Sequence, residues 1–132
     1  SFVYAKLALM TANTHYEKRL NELLSIFHND IKEAPASTPS LMRSLLLTHY
    51  PSQQVLVFGK EKARFLEKFQ TAYLPNVVTL MADEAADLAD LPPYTCYYPN
   101  HPGQTMIYVC QNFTCQRPTT DMEEAMAQIL EG

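Results

Sequence analysis

Glycine is scarce in this chain, with three residues in 132. Only one of them, Gly59, stands between a strand and a helix, where a dinucleotide fingerprint needs several at fixed spacing for close backbone approach to phosphates. Cysteine is scarce and odd in number, at three; a disulfide-built secreted module would carry more. Basic charge is also short. Ten Lys and Arg stand against fourteen Asp and Glu, for a net charge of −4. The basic residues are scattered and form no face for a nucleic acid. No apolar run reaches the roughly 18–20 residues that cross a bilayer. The most apolar stretch, Phe2 to Met10, is broken by Lys6 and lacks the basic flank and cleavage pattern of a signal peptide. No membrane partner is expected, and the location expected is cytoplasmic.

What is present fits a folded protein of one-domain size. Hydrophobic residues make up 47% and charged residues 18%, enough to build a core. The chain opens on Ser1 and enters a helical pattern at once, which reads as a segment of a longer protein. Residues 2–12 are apolar almost all round, so that helix should be buried on most sides. Thr14-His15-Tyr16-Glu17 fits a capping box opening a helix to about Lys32. Its stripe is Tyr16, Leu20, Leu23, Leu24, Phe27 and Ile31. Thr38-Pro39 starts a third helix, to about His49.

The pattern then changes. Val55 to Phe58 is a continuous apolar run ending at Gly59, as in a strand buried on both faces. A helix over 60–72 follows, with Ala63, Leu66, Phe69 and Tyr73 on one side. Val77 to Met81 is a second strand, and strand–helix–strand at this spacing predicts a right-handed parallel crossover. Residues 82–91 should form one or two helical turns, and 95–98 a short edge strand in a proline-rich loop. Thr105 to Val109 is a further strand. Thr120-Asp121-Met122-Glu123 is a second capping box, opening a helix with Met122, Ala125, Met126, Ile129 and Leu130 inward. The fold class is α/β. Residues 51–132 form a small, mostly parallel sheet of three or four strands with flanking helices. An N-terminal helical segment, residues 1–50, precedes it.

The chemically suggestive stretch is Tyr108-Val109-Cys110-Gln111-Asn112-Phe113-Thr114-Cys115-Gln116-Arg117-Pro118-Thr119-Thr120. It runs from a strand, through a turn, to the last helix. With Ile107 and Asp121, this stretch resembles the C-terminal end of a family of large proteins. These carry an N-terminal thioredoxin-like domain and a central helical toroid similar to six-hairpin glycosidases and sugar epimerases; the mammalian members are named after spermatogenesis. The upstream helical hairpin, the strand ending in Gly59 and the helix into Tyr73-Leu74-Pro75-Asn76 look alike too. The resemblance implies that 1–50 are the last helices of the toroid, at its end, and 51–132 a terminal α/β appendage. The family's redox Cys-x-x-Cys does not fall in these residues, and no catalytic residue is carried over.

Cys110 and Cys115 support three readings. They are buried apolar side chains beside a turn, or a structural or reversible disulfide, which needs Cα atoms within about 7 Å, or part of a metal site. Zinc would need four ligands, and only Cys96 and His101 stand near in sequence, at a spacing that matches no ribbon or finger. No metal or other cofactor is therefore expected. Gly59 leading into a helix resembles a phosphate turn, but it stands alone. His28 and His49 lie near helix ends, where an imidazolium suits the dipole; His15 and His101 are dispersed. Asp83, Glu84, Asp87 and Asp90 form an acidic run without calcium-loop spacing. Tyr94, Tyr97, Tyr98 and Tyr108 surround the proline-rich loop and suit either contact surfaces or packing.

The function expected is a non-catalytic accessory segment of a larger multidomain protein whose activity is carbohydrate-related or redox-related. No intrinsic enzyme activity is expected. Its partner would be the remainder of the parent chain; alone, helix 2–12 should fold back on the sheet or drive homo-oligomerisation. The alternatives are a thiol-redox element using Cys110 and Cys115, and a small-ligand-binding α/β domain.

Overall fold

The computed structural model describes residues 2–88, 103–112 and 114–131. The chain divides into two units, Ser1–Pro51 and Ser52–Gly132.

The first unit is helical: α1 (Phe2–Thr11), α2 (Thr14–Ile26), α3 (His28–Glu33), a 3-10 turn (Pro35–Ser37) and α4 (Pro39–His49). Three differences from the sequence reading have local causes. The cap of α2 is Asn13, whose Oδ1 accepts from the His15 N–H at 2.9 Å, so Thr14 is already helical. The helix expected to reach Lys32 is interrupted at Phe27, with φ −94° and ψ 14°. Just before it, the Ser25 hydroxyl donates to the Asn21 carbonyl at 2.8 Å, a back-bond that bends helices. Thr38 precedes Pro39 as expected, yet its hydroxyl donates backward to the Pro35 carbonyl at 3.4 Å instead of capping α4.

Three side chains, Ala5, Leu20 and Leu47, form the buried centre of this unit, with Phe2, Tyr4, Leu9 and Leu24 packed partly against it. Arg43 lies 4.1 Å from the centroid of the Phe2 ring, a cation–π contact that keeps Phe2 on the α4 side. Helix α1 is therefore less covered than its composition demands. Ala5 is its one fully buried residue, and Val3 is 67% exposed.

The second unit is a four-stranded sheet with helices on one face. Its elements are β1 (Gln53–Phe58), α5 (Lys62–Thr71), β2 (Val77–Ala82), a 3-10 turn (Ala85–Leu88), β3 (Met106–Gln111), β4 (Thr114–Cys115) and α6 (Met122–Glu131). The order is β2-β1-β3-β4. β1 and β2 are parallel, but β3 runs antiparallel to β1 and β4 antiparallel to β3. The sheet is thus mixed, not mostly parallel. Only the β1–α5–β2 crossover enforces a parallel pair; β4 returns from β3 through a tight turn, which can only make an antiparallel one. The strand expected at 95–98 and the part of the acidic turn beyond Leu88 lie outside the described residues.

Strand β1 is buried at all six positions. Val55 and Val57 face one side with Ile107 and Val109 of β3, covered by Phe65 and Phe69 of α5 and Ala125 and Ile129 of α6. Each of those large side chains contributes about 1.5–3 kcal/mol by leaving water. The buried stripe of α5 is Phe65 and Phe69; Ala63 and Leu66 are exposed and Tyr73 is 91% exposed. The second sheet face holds Leu56, Phe58, Ala82, Leu88, Tyr108 and Cys110. Helix α6 is capped one residue later than expected. The Asp121 Oδ1 accepts from the Glu123 N–H at 2.8 Å, and the Thr119 Oγ1 accepts from the Asp121 N–H at 3.0 Å. Thr119, not Thr120, is the buried threonine of this start.

Candidate thiol–disulfide site

Cys110 and Cys115 are joined by a disulfide, with Cα atoms 3.8 Å apart. The backbone explains why the sulfurs meet. Cys110 pairs with Cys115 and Gln111 with Thr114 across a turn in which Asn112 has φ 50°. Asparagine tolerates this left-handed conformation, and hairpin turns that match the strand twist require it. Farther along, the Gln116 N–H donates to the Val109 carbonyl at 2.8 Å, and Ile107 and Thr119 exchange backbone bonds of 2.8 and 3.0 Å. Ile107 and Val109 therefore turn their backbone groups toward the β4 side. Tyr108 and Cys110, alternating with them, turn theirs toward β1. Cys110 and Cys115 thus form a non-hydrogen-bonded cross-strand pair, the arrangement in which facing side chains approach most closely. Of the three sequence readings, the disulfide is the one the structure adopts, in place of two free buried thiols.

Toward β1, Cys110 pairs with Gln54. By the same alternation this is a hydrogen-bonded pair, and both side chains project to the second sheet face. Cys110 and Gln54 are each 1% exposed. Cys115 is half-buried and packs against the cluster of Leu56, Tyr108 and their neighbours. The Tyr108 ring stands edge-on to Phe58 at 5.8 Å. Burial pushes the Tyr108 hydroxyl above the ordinary tyrosine pKa of 10.0, because the phenolate would lose its hydration.

Gln54 is the residue that sequence reasoning missed. Its side-chain Oε1 is buried without a hydrogen-bond partner, as is Nε2 of its neighbour Gln53 on the opposite face. Buried amides normally find partners, so such an orphan beside a disulfide stands out. The available sign was a pair of glutamines opening an apolar strand, which reads as a strand end when burial is judged from residue type alone.

The remaining candidates are placed as follows. Gly59 has φ 138°, and a Cβ there would lie 2.6 Å from the Thr105 Oγ1. The same Oγ1 accepts from the Glu61 N–H at 3.2 Å. Thr105 thus takes the Glu61 N–H for itself, and Gly59 is required by that close approach. Asp83 pairs with Lys62 at 2.6 Å, and the Asp87 Oδ2 accepts from the Glu84 N–H at 3.1 Å. His49 closes α4, whereas His28 opens α3. His15 stands edge-on to Tyr16 at 5.9 Å. Cys96, His101, Asp90, Tyr94, Tyr97 and Tyr98 lie outside the described residues. Among the described residues no three His, Cys, Asp or Glu gather as a metal-binding group. A cavity of about 560 Å³ lies between the first turns of α5 and α6, lined by Arg64 and Lys68 and also by Glu61, Asp121 and Glu123. Its mixed charge selects no ligand class.

No protein-family model, curated protein or solved structure matches the chain. Among the described residues no helix is long and apolar enough to cross a membrane.

Proposed function

We propose that this chain is a non-catalytic accessory segment of a larger multidomain protein. Its helical unit supplies a packing surface and its α/β unit a scaffold that Cys110–Cys115 closes. The observation that supports this reading is α1. Nine of its ten residues are uncharged, in the order Phe-Val-Tyr-Ala, Lys6, then Leu-Ala-Leu-Met-Thr. Yet only Ala5 is fully buried. A helix apolar on every side belongs inside a larger assembly. The similarity of 107–121 to the thioredoxin-domain and helical-toroid family supports the same reading, with the preceding toroid helices as the cover for α1. The parent's own activity, carbohydrate-related or redox-related, would then reside elsewhere in it, and the location consistent with it is the cytoplasm. Splitting the parent into two co-expressed polypeptides, with this chain as one, tests the idea. The two should copurify as a stoichiometric complex. A chain that stays a separate monomer beside its parent contradicts the reading.

A thiol-redox element is the second reading, favoured by the disulfide itself. Cys115 is half-buried on a two-residue edge strand, within reach of an external thiol, and a cytoplasmic disulfide is usually a reducible one. A reversible two-electron couple in a thiol titration of the native protein supports it; a pair that reduces only on unfolding leaves the accessory reading alone.

A further inference from the structure

Resting on that second reading, we infer that Gln54 is a positioning residue for the Cys110–Cys115 couple: its buried carbonyl accepts the S–H of Cys110 once the disulfide is reduced, and so favours the dithiol form. In the disulfide form the Gln54 Oε1 has no donor. A buried amide oxygen left unpaired costs free energy that water or a partner would otherwise recover. The disulfide cannot relieve it, because neither sulfur carries a proton. The nearest group whose hydrogen-bonding capacity changes with redox state is Cys110, its direct cross-strand partner. Facing residues in such a pair have Cβ atoms about 5 Å apart, a gap that the three bonds from a glutamine Cβ to its Oε1 span. Both residues are 1% exposed, so solvent does not compete for the contact.

The chemistry balances with a dithiol as reductant. The Cys110–Cys115 S–S bond breaks. The external dithiol gives up two electrons and two protons and closes its own disulfide. Each cysteine sulfur takes one proton, and that of Cys110 is donated to the Gln54 carbonyl. Half-buried Cys115 is the sulfur an incoming thiolate reaches, which leaves Cys110 as the departing thiol that collects its proton inside. Gln53, one residue earlier, pairs with Gln111 and projects to the other face, and it should have no part in this.

The test uses the whole 132-residue chain with Cys96→Ser, equilibrated in mixtures of reduced and oxidised dithiothreitol. Gln54→Met keeps the side-chain volume and removes the acceptor. It should move the equilibrium toward the disulfide by roughly three- to tenfold, whereas Gln53→Met should leave it in place. The infrared S–H band of Cys110, read in the Cys96→Ser, Cys115→Ser protein, should sit at lower frequency than a thiol without an acceptor. This measurement needs no change at Gln54, so it stands even if Gln54→Met does not fold. An unshifted band, or an unchanged equilibrium in Gln54→Met while the wild-type pair still cycles, overturns the role of Gln54 and leaves the couple standing. A pair that cannot be reduced reversibly in the native wild-type protein overturns the redox reading and this inference with it.

Discussion

Thr105 occupies the space beside Gly59, its Oγ1 and Cα 2.6 and 2.7 Å from where a Gly59 Cβ would be. The contact joins the turn after β1 to the residue that enters β3. Gly59 is thus required twice, by its φ of 138° and by the approach of Thr105. Gly59→Ala should cost about 2–3 kcal/mol in urea unfolding. Adding Thr105→Ala should recover only part of this, because the Thr105 backbone remains in place. Full recovery would show that backbone strain contributes nothing.

The disulfide makes a separate prediction. Peptide mapping without reduction should recover Cys110 and Cys115 in one linked fragment. Cys115→Ser opens a cross-link between residues five apart in sequence, a loss of about 2 kcal/mol on the chain-entropy account. Free alkylation of both thiols in the native protein would contradict the structure.

Phe69 tests the helix-covered face of the sheet. It is buried against Val55, Val57, Ile107 and Val109, and Phe69→Ala should cost about 3–5 kcal/mol. Tyr73→Ala, two residues beyond the end of the same helix and 91% exposed, should stay within about 0.5 kcal/mol of wild type. Equal effects in calorimetry would mean that the helix is turned the other way.

Tyr108 gives stability a dependence on alkaline pH. Its hydroxyl titrates above 10.0 in the folded protein because burial disfavours the phenolate. The unfolded chain releases that proton first, near pH 10, so it binds fewer protons than the native state beyond that point. Stability is therefore intact below pH 10 and falls as pH rises toward the folded pKa. Tyr108→Phe should flatten this part of the profile, even if its stability at neutral pH is lower. An unchanged alkaline slope would assign the decline to other groups.

Much of this architecture was legible in the sequence, for reasons that also mark where legibility ended. The run Val55 to Phe58 announced a doubly buried strand, and Gly59 its end. Strand direction was not written there. Whether β3 runs with or against β1 depends on the path of residues 83–105, and nothing in their composition dictates it. Periodicity located α5 but misjudged its face, because Phe65 lies on the same side as Phe69 while Leu66 and Tyr73 do not. The cysteine pair was visible as a spacing. Its closure depended on strand alternation, which puts Cys110 and Cys115 in a non-hydrogen-bonded register, and on Asn112 accepting a left-handed turn. Gln54 was hidden because burial was inferred from residue type, and an amide counted as surface.

The central claim is that α1 is an interior helix of something larger. Hydrogen exchange of the 132-residue chain, alone and mixed with the remainder of the proposed larger protein, tests it most directly. The account predicts that amides of Phe2–Thr11 exchange readily in the isolated chain and become strongly protected in the mixture, while β1 is slow in both. Unchanged exchange of α1 on mixing, at concentrations where the two parts are saturating, would contradict it.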